Sequence, residues 1–191
     1  MRTIVFDIET ANWFGETGSS DPADLKIALV CAHDSETDSY DSYLENELPR
    51  LWKKIEGADV LVGYNSDHFD IPLLNKYYPG DLSNIRSLDL MKEIHNVIGR
   101  RIKLDSVAEA TLGEGKSGDG LQSLRWWRAG EVDKVRDYCI KDVELTKRLY
   151  EYAMKNGALK YKELGETREV KLDTSKWHVG ASGSLTHTLG F

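Results

Sequence analysis

The sequence predicts an α/β fold with a mixed central β-sheet flanked by helices, on three observations. The first segment, Thr3-Ile4-Val5-Phe6-Asp7-Ile8, is short and rich in β-branched and aromatic residues, the composition of a buried strand. Two more strand-like segments follow before any helical period sets in, and the second of these is polar enough to leave one face wet. In the second half, apolar residues recur mainly at helical spacing, with the longest run from about Glu131 to Lys155. Strands first, helices late and an alternation between them describe a sheet covered by helices.

Each element has its own signature. Residues 10–24 carry Gly15, Gly18, Ser19, Ser20, Asp21 and Pro22, turn chemistry that predicts a loop. A strand at Lys26–Ala32, a turn near Asp34–Glu36 and a strand at Asp38–Leu44 complete an antiparallel meander. Leu48, Leu51, Trp52 and Ile55 give the first helix, and Asp59–Tyr64 reads as another buried strand. Asp70 followed by Pro72 marks a helix start with Leu73, Leu74 and Tyr77 on its inner face. Ile85–Leu88 reads as a short strand, Met91, Ile94, His95 and Ile98 as a helix, and residues 113–120 as a Gly-rich loop. One domain is expected over residues 1–160. Residues 161–191 are expected to form a C-terminal extension: a terminal strand, a partner-binding tail or a partly disordered one.

At 191 residues, the chain is long enough for one full-sized core. No apolar run approaches the ~20 residues that cross a bilayer, and residues 1–7 lack a signal-peptide pattern. No membrane association is therefore expected. Cys31 and Cys139 have neither disulfide-framework nor zinc-site spacing, which points to a reducing, cytoplasmic location. The five histidines show no ligand spacing. The net charge of −7 lacks the basic surplus usual for nucleic-acid partners. Two divalent cations would add four positive charges and leave −3, so attraction to a polyanion would be local rather than global.

Three sites carry the candidate chemistry. Asp7 and Glu9 lie two apart at the end of a strand, so both project to one face. Carboxylates so placed repel unless a cation or a proton lies between them, and an all-oxygen set suits Mg²⁺ or Mn²⁺. The second site runs from Asn65 to Asp70, where a buried strand gives way to a helix. Taken alone, Asp70 would be an ordinary helix cap and Asn65 a turn residue. The third lies on the long helix, where Tyr138 and Asp142 are four residues apart at the border of the stripe formed by Val135, Cys139, Val143, Thr146 and Tyr150. A carboxylate there needs a partner, either a salt bridge or a metal shared with Asp7. Lys141 and Lys147 project elsewhere on the helix, which favours the metal. Trp126 and Trp127, flanked by Arg125 and Arg128, fit core packing better than base stacking. Arg100-Arg101-Ile102-Lys103 fits either a phosphate path or a solvated helix end.

Together, Asp7-Ile8-Glu9-Thr10, Asn65 through Phe69-Asp70, and Tyr138 through Asp142 resemble the three motifs of the DEDD exonucleases in the tyrosine subclass. The order Leu88-Asp89-Leu90, Leu104-Asp105-Ser106 and the acidic helix after Gly130 is similar to the proofreading domain of family-B DNA polymerases and its stand-alone relatives. The resemblance covers residues 1–155. It implies a ribonuclease H-like fold and a 3′–5′ exonuclease acting on nucleic acid with single-stranded or frayed 3′ ends, most simply single-stranded DNA. It also implies two divalent ions, Mg²⁺ or Mn²⁺, held by Asp7, Glu9, Asp70 and Asp142. Tyr138 would then orient the attacking water, since a free phenol titrates near ~10 and is a weak base at neutrality. Thr10 and Asn65 would contact the terminal nucleotide, while Phe69 fits packing better than stacking. The competing expectations are an endonuclease of the same superfamily and a non-catalytic nucleic-acid-binding or interaction module.

Overall fold

The computed structural model describes residues 1–115 and 120–177. Five strands form the main sheet: β1 (Thr3–Thr10), β2 (Ile27–Asp34), β3 (Ser39–Leu44), β4 (Val60–Gly63) and β5 (Ser87–Asp89), in the order β3-β2-β1-β4-β5. β1–β2 and β2–β3 pair antiparallel, whereas β1–β4 and β4–β5 pair parallel. The expected mixed sheet is therefore present, with β1 at its centre.

The pleat of β1 distributes its residues between two cores. Ile4, Phe6 and Ile8 pack with Leu48, Leu51, Trp52 and Ile55 of helix α2 (Leu48–Glu56) and with Leu73 and Leu74 of α3 (Asp70–Asn75). Val5 faces the opposite layer, with Val135, Cys139 and Val143 of the long helix α7 (Val132–Asn156). Period-2 alternation places Asp7 and Glu9 on that α7 side. The β1–β2 register slips between Glu9 and Thr10, a bulge-like irregularity beside the two carboxylates.

Several elements differ from expectation. The loop at 10–24 contains a four-residue helix, α1 (Phe14–Thr17), and a 3-10 turn at Pro22–Asp24. Helix α4 (Leu90–Ile98) lies where its apolar spacing predicts it. Two further helices, α5 (Leu104–Leu112) and α6 (Gly120–Arg128), flank the Gly-rich segment, of which residues 116–119 lie outside the described residues. After α7 the chain forms a hairpin, β6 (Ala158–Glu163) and β7 (Glu166–Lys171), so the expected boundary at 160/161 falls inside β6. Leu159, Tyr161, Val170, Leu172 and Trp177 are buried in the same core as Val135 and Val143, because the hairpin closes the lower end of the α7 layer. Residues 178–191 lie outside the described residues.

The free edge of β6 is satisfied by α5 rather than by another strand. Thr111 Oγ1 donates to Lys160 O at 3.0 Å and accepts from Lys160 N at 2.9 Å. Ser106 Oγ makes the same pair of bonds with Lys162. Two hydroxyls one and a half turns apart thus do what a neighbouring strand would, and they block edge pairing with other chains. Trp177 stacks on Tyr150 with ring centroids 6.0 Å apart and donates from Nε1 to Glu93 Oε2 at 3.2 Å. Among the described residues, no helix is long and apolar enough to cross a membrane.

Candidate active site

Asp7, Glu9, Thr10, Asn65, Phe69, Asp70 and Asp142 line one cleft of about 470 Å³. That is within the ~300–1,000 Å³ range of small-molecule sites. The cleft brings together residues from the end of β1, the β4–α3 junction and the middle of α7. Ile8, Leu25, Leu121 and Leu124 supply apolar lining beside the carboxylates. Glu9, Asp70 and Asp142 are 8%, 4% and 3% exposed.

Asp70 is not the cap of α3. Phe69 holds the N-cap position and its side chain makes no cap hydrogen bond. Burial, then the neighbouring carboxylates of Asp89 and Glu9, push the Asp70 carboxyl up to about 8, with backbone hydrogen bonds opposing the shift. Such a group favours the proton, or a cation that replaces it.

Asn65 adopts a left-handed backbone at φ 67, a conformation that asparagine tolerates better than most residues. Its carbonyl accepts from Phe69 N at 3.0 Å, tightening the turn that presents Asp70. Its side-chain Oδ1 is buried on the cleft wall without a hydrogen-bond partner. A buried acceptor left unpaired costs ~1–3 kcal/mol, which a bound donor would recover.

Asp89, to which no role is assigned from sequence, organises this turn. Its carboxylate accepts from Asn65 N at 2.8 Å, Asp67 N at 3.1 Å, Met91 N at 2.9 Å and Lys92 N at 3.2 Å. One side chain thus caps α4 and pins the 65–67 loop. Burial raises the Asp89 carboxyl, and the hydrogen bonds from Asn65, Lys92 and Asp67 act against the rise. The sequence signal was an Asp directly before a helical run, an N-cap signature.

Other predicted residues take more specific positions. The Thr10 hydroxyl donates to Asn12 O at 2.9 Å, so it shapes the loop after β1 while its residue lines the cleft. Phe69 meets Phe14 edge-on, with centroids 6.2 Å apart, and so both packs and lines the site. Tyr138 is not on the wall of the cleft. It is buried one turn before Asp142, with its ring edge-to-face on Trp126 at 5.9 Å. Trp126 and Trp127 pack against the core, and Arg100 pairs with Glu163 of the hairpin. Lys141 pairs with Glu114 and Glu144, and Lys147 with Glu151, so neither supplies Asp142's counter-charge.

Cys31 and Cys139, distant in sequence, are neighbours in space. Cys31 pairs across the sheet with Asp7, and Cys139 Sγ lies 3.5 Å from Asp7 Oδ2. Both are free thiols and fully buried. Burial, then Cys31, Asp7 and Glu9, raise the Cys139 thiol far above its ordinary value, which keeps it protonated and able to donate to Asp7. Ligand atoms of Asp7, Glu9 and Cys139 lie within 4.8 Å of one another, a spacing that could hold a metal ion. With Asp70 and Asp142 on the same cleft, the hard oxygen donors outnumber the protonated sulfur, and the set fits Mg²⁺ or Mn²⁺.

Asp7 and Glu9 on the central strand and Asp142 on the covering helix α7 thus line one cleft of a mixed five-stranded sheet. A family model described as the RNase H superfamily matches residues 4–154. The chain belongs to the RNase H superfamily, whose members are mostly phosphodiester hydrolases that use divalent metals. It is similar in structure to the family B DNA polymerase from the hyperthermophilic archaeon Pyrobaculum calidifontis, with 21% sequence identity and a TM-score of 0.60. That alignment covers 81% of this chain and 24% of the polymerase, so the likeness is one of fold, and this chain spans about a quarter of the polymerase's length. No match was found among curated proteins.

Proposed function

We propose that this chain is a metal-dependent 3′–5′ exonuclease that removes nucleotides from single-stranded or frayed 3′ ends, most simply of DNA. The observation that carries the reading is the convergence of Asp7, Glu9, Asp70 and Asp142 on one cleft whose other walls include Thr10, Asn65 and Phe69.

Two divalent cations held by the four carboxylates would supply the positive charge that activates water and stabilises the leaving oxygen. Asp7, Glu9 and Asp142 form the β1–α7 side of that cradle, and Asp70 faces it from the β4–α3 side. Asn65 Oδ1 offers an acceptor to a hydroxyl or amine of the terminal nucleotide. Phe69 offers an apolar surface to its base or sugar. By the resemblance, Tyr138, buried one turn from Asp142 and off the cleft wall, would orient the attacking water once its hydroxyl turns toward the cleft. Asp89 is a positioning residue that acts through the Asn65 turn.

The test is digestion of end-labelled single- and double-stranded DNA and RNA with Mg²⁺, Mn²⁺ or chelator. Stepwise shortening of single strands from a free 3′ end, with slower loss from blunt duplex, is the expected result. Cutting of a closed circle would instead indicate an endonuclease, and binding without cleavage a non-catalytic module.

A further inference from the structure

We propose that a recess behind the Asn65 turn, lined by His68, His95 and Arg101, is a second site on this chain, an anion site for a phosphate monoester. Under the exonuclease reading that class includes the released nucleotide, but the site itself is defined without that reading.

The recess has a volume of about 300 Å³ and shares only Asn65 with the catalytic cleft. Its walls come from the 65–68 turn, from α4 and from the chain that follows α4. Lys92 and His95, three residues apart, lie on one face of that helix. Gly99 then ends the helix in a left-handed conformation at φ 75, which turns the chain back. Tyr64 Oη donates to Ile102 O at 2.7 Å, so the segment carrying Arg101 is tied to the residue before Asn65.

Both carboxylates on the wall are already matched. Asp89 accepts from the backbone N–H groups of Asn65, Asp67, Met91 and Lys92. Asp67 accepts from Ser87 Oγ at 2.6 Å and from Lys92 Nζ at 2.6 Å. Arg100 pairs with Glu163 and lies over the Tyr161 ring. Its neighbour Arg101 has no side-chain hydrogen bond or ion pair among the described residues, and neither has the ring of His68 or His95. The recess is thus left with one uncompensated guanidinium and two imidazoles. A guanidinium binds two phosphate oxygens at once. A monoester has a third oxygen for an imidazole N–H. A diester within a strand has only two unbridged oxygens, and the volume is at the lower end of the ~300–1,000 Å³ of small-molecule sites.

The test is calorimetric titration of the protein, stripped of metal and dialysed free of chelator, with thymidine 5′-monophosphate. Without metal the carboxylates of the cleft repel a phosphate, so the heat reports the recess and no turnover is needed. Binding by the wild type, roughly ten-fold weaker in Arg101→Ala, is the expected result. His95→Ala should weaken it in the same direction. Arg100→Ala removes the same charge outside the recess and should bind as the wild type does, and thymidine, which lacks the phosphate, should not bind. No binding by the wild type, equal losses in Arg100→Ala and Arg101→Ala, or equal binding of thymidine would overturn the site. An oligothymidylate with hydroxyl ends, added at equal phosphate concentration, should not displace the nucleotide. Displacement would give the recess to a strand and overturn the monoester. If digestion of nucleic acid fails while this binding holds, the exonuclease reading falls and the anion site stands.

Discussion

Asp70, at the start of α3, and Asp89, at the end of β5, are neighbouring buried carboxylates, and they are stabilised differently. Asp89 accepts four backbone N–H groups. Asp70, pushed up to about 8, is costly to ionise in the metal-free protein. Its folded value lies above its ordinary 3.8, so its contribution to stability is full below 3.8 and is lost as pH rises towards about 8. In chelator, the melting temperature is expected to fall across that window, and Asp70→Asn should flatten the slope. A wild-type profile as flat as the variant's would contradict the assignment. Asp7→Asn and Asp142→Asn should abolish most turnover and weaken metal binding while leaving the fold intact. Tyr138→Phe should cost roughly ten- to hundred-fold in single-turnover rate with metal affinity unchanged, below the ~10²–10³ of a charge-stabilising donor. A wild-type rate would remove Tyr138 from the mechanism and leave the carboxylate site standing. Asp7, Glu9 and Asp142 were legible because each sits on a periodic element whose facing residues can be counted. Asp89 was legible only as a helix cap, because its bonds to Asn65 N and Asp67 N come from another loop and no spacing within one segment reveals them.

The hairpin after α7 and the helix that covers its edge show what periodicity misses at the scale of elements. β7 presents Val170 as its one buried residue, too little alternation to read as a strand. α5 is nine residues long, and its buried residues are Val107 and Ala108. Both depend on each other: α5 supplies Ser106 and Thr111 to β6, and β6 with β7 supplies Leu159 and Val170 to the core beneath α7. Leu159→Ala is therefore expected to destabilise the whole domain by about 2–5 kcal/mol, the range for a fully buried leucine. Denaturant melts read this directly. A loss below ~1 kcal/mol would mean that the hairpin is an appendage rather than part of the core, since surface changes usually stay within about 0.5 kcal/mol. β1 and α2, by contrast, were legible because burial on one or both faces writes a strong period into the sequence.

For the molecule as a whole, strand order was beyond the sequence, since pairing β1 with both β2 and β4 is decided by long-range register rather than by local pattern. What the order achieves is to place the end of the central strand under α7, so that one sheet face carries Val5 into the core and Asp7 and Glu9 into the cleft. Four carboxylates gathered in this way should repel when no cation is bound, so saturating Mn²⁺ or Mg²⁺ should raise the melting temperature, and Asp7→Asn should blunt the gain. The central claim is metal-dependent removal of nucleotides from a 3′ end. Its most direct test is a 5′-labelled single-stranded oligonucleotide, with its 3′ end free or blocked, incubated with Mn²⁺ or with excess chelator. A ladder shortening from the free 3′ end, absent with the blocked end and absent in chelator, is the expected result. Full cleavage in chelator, or an identical ladder from the blocked oligonucleotide, would contradict it.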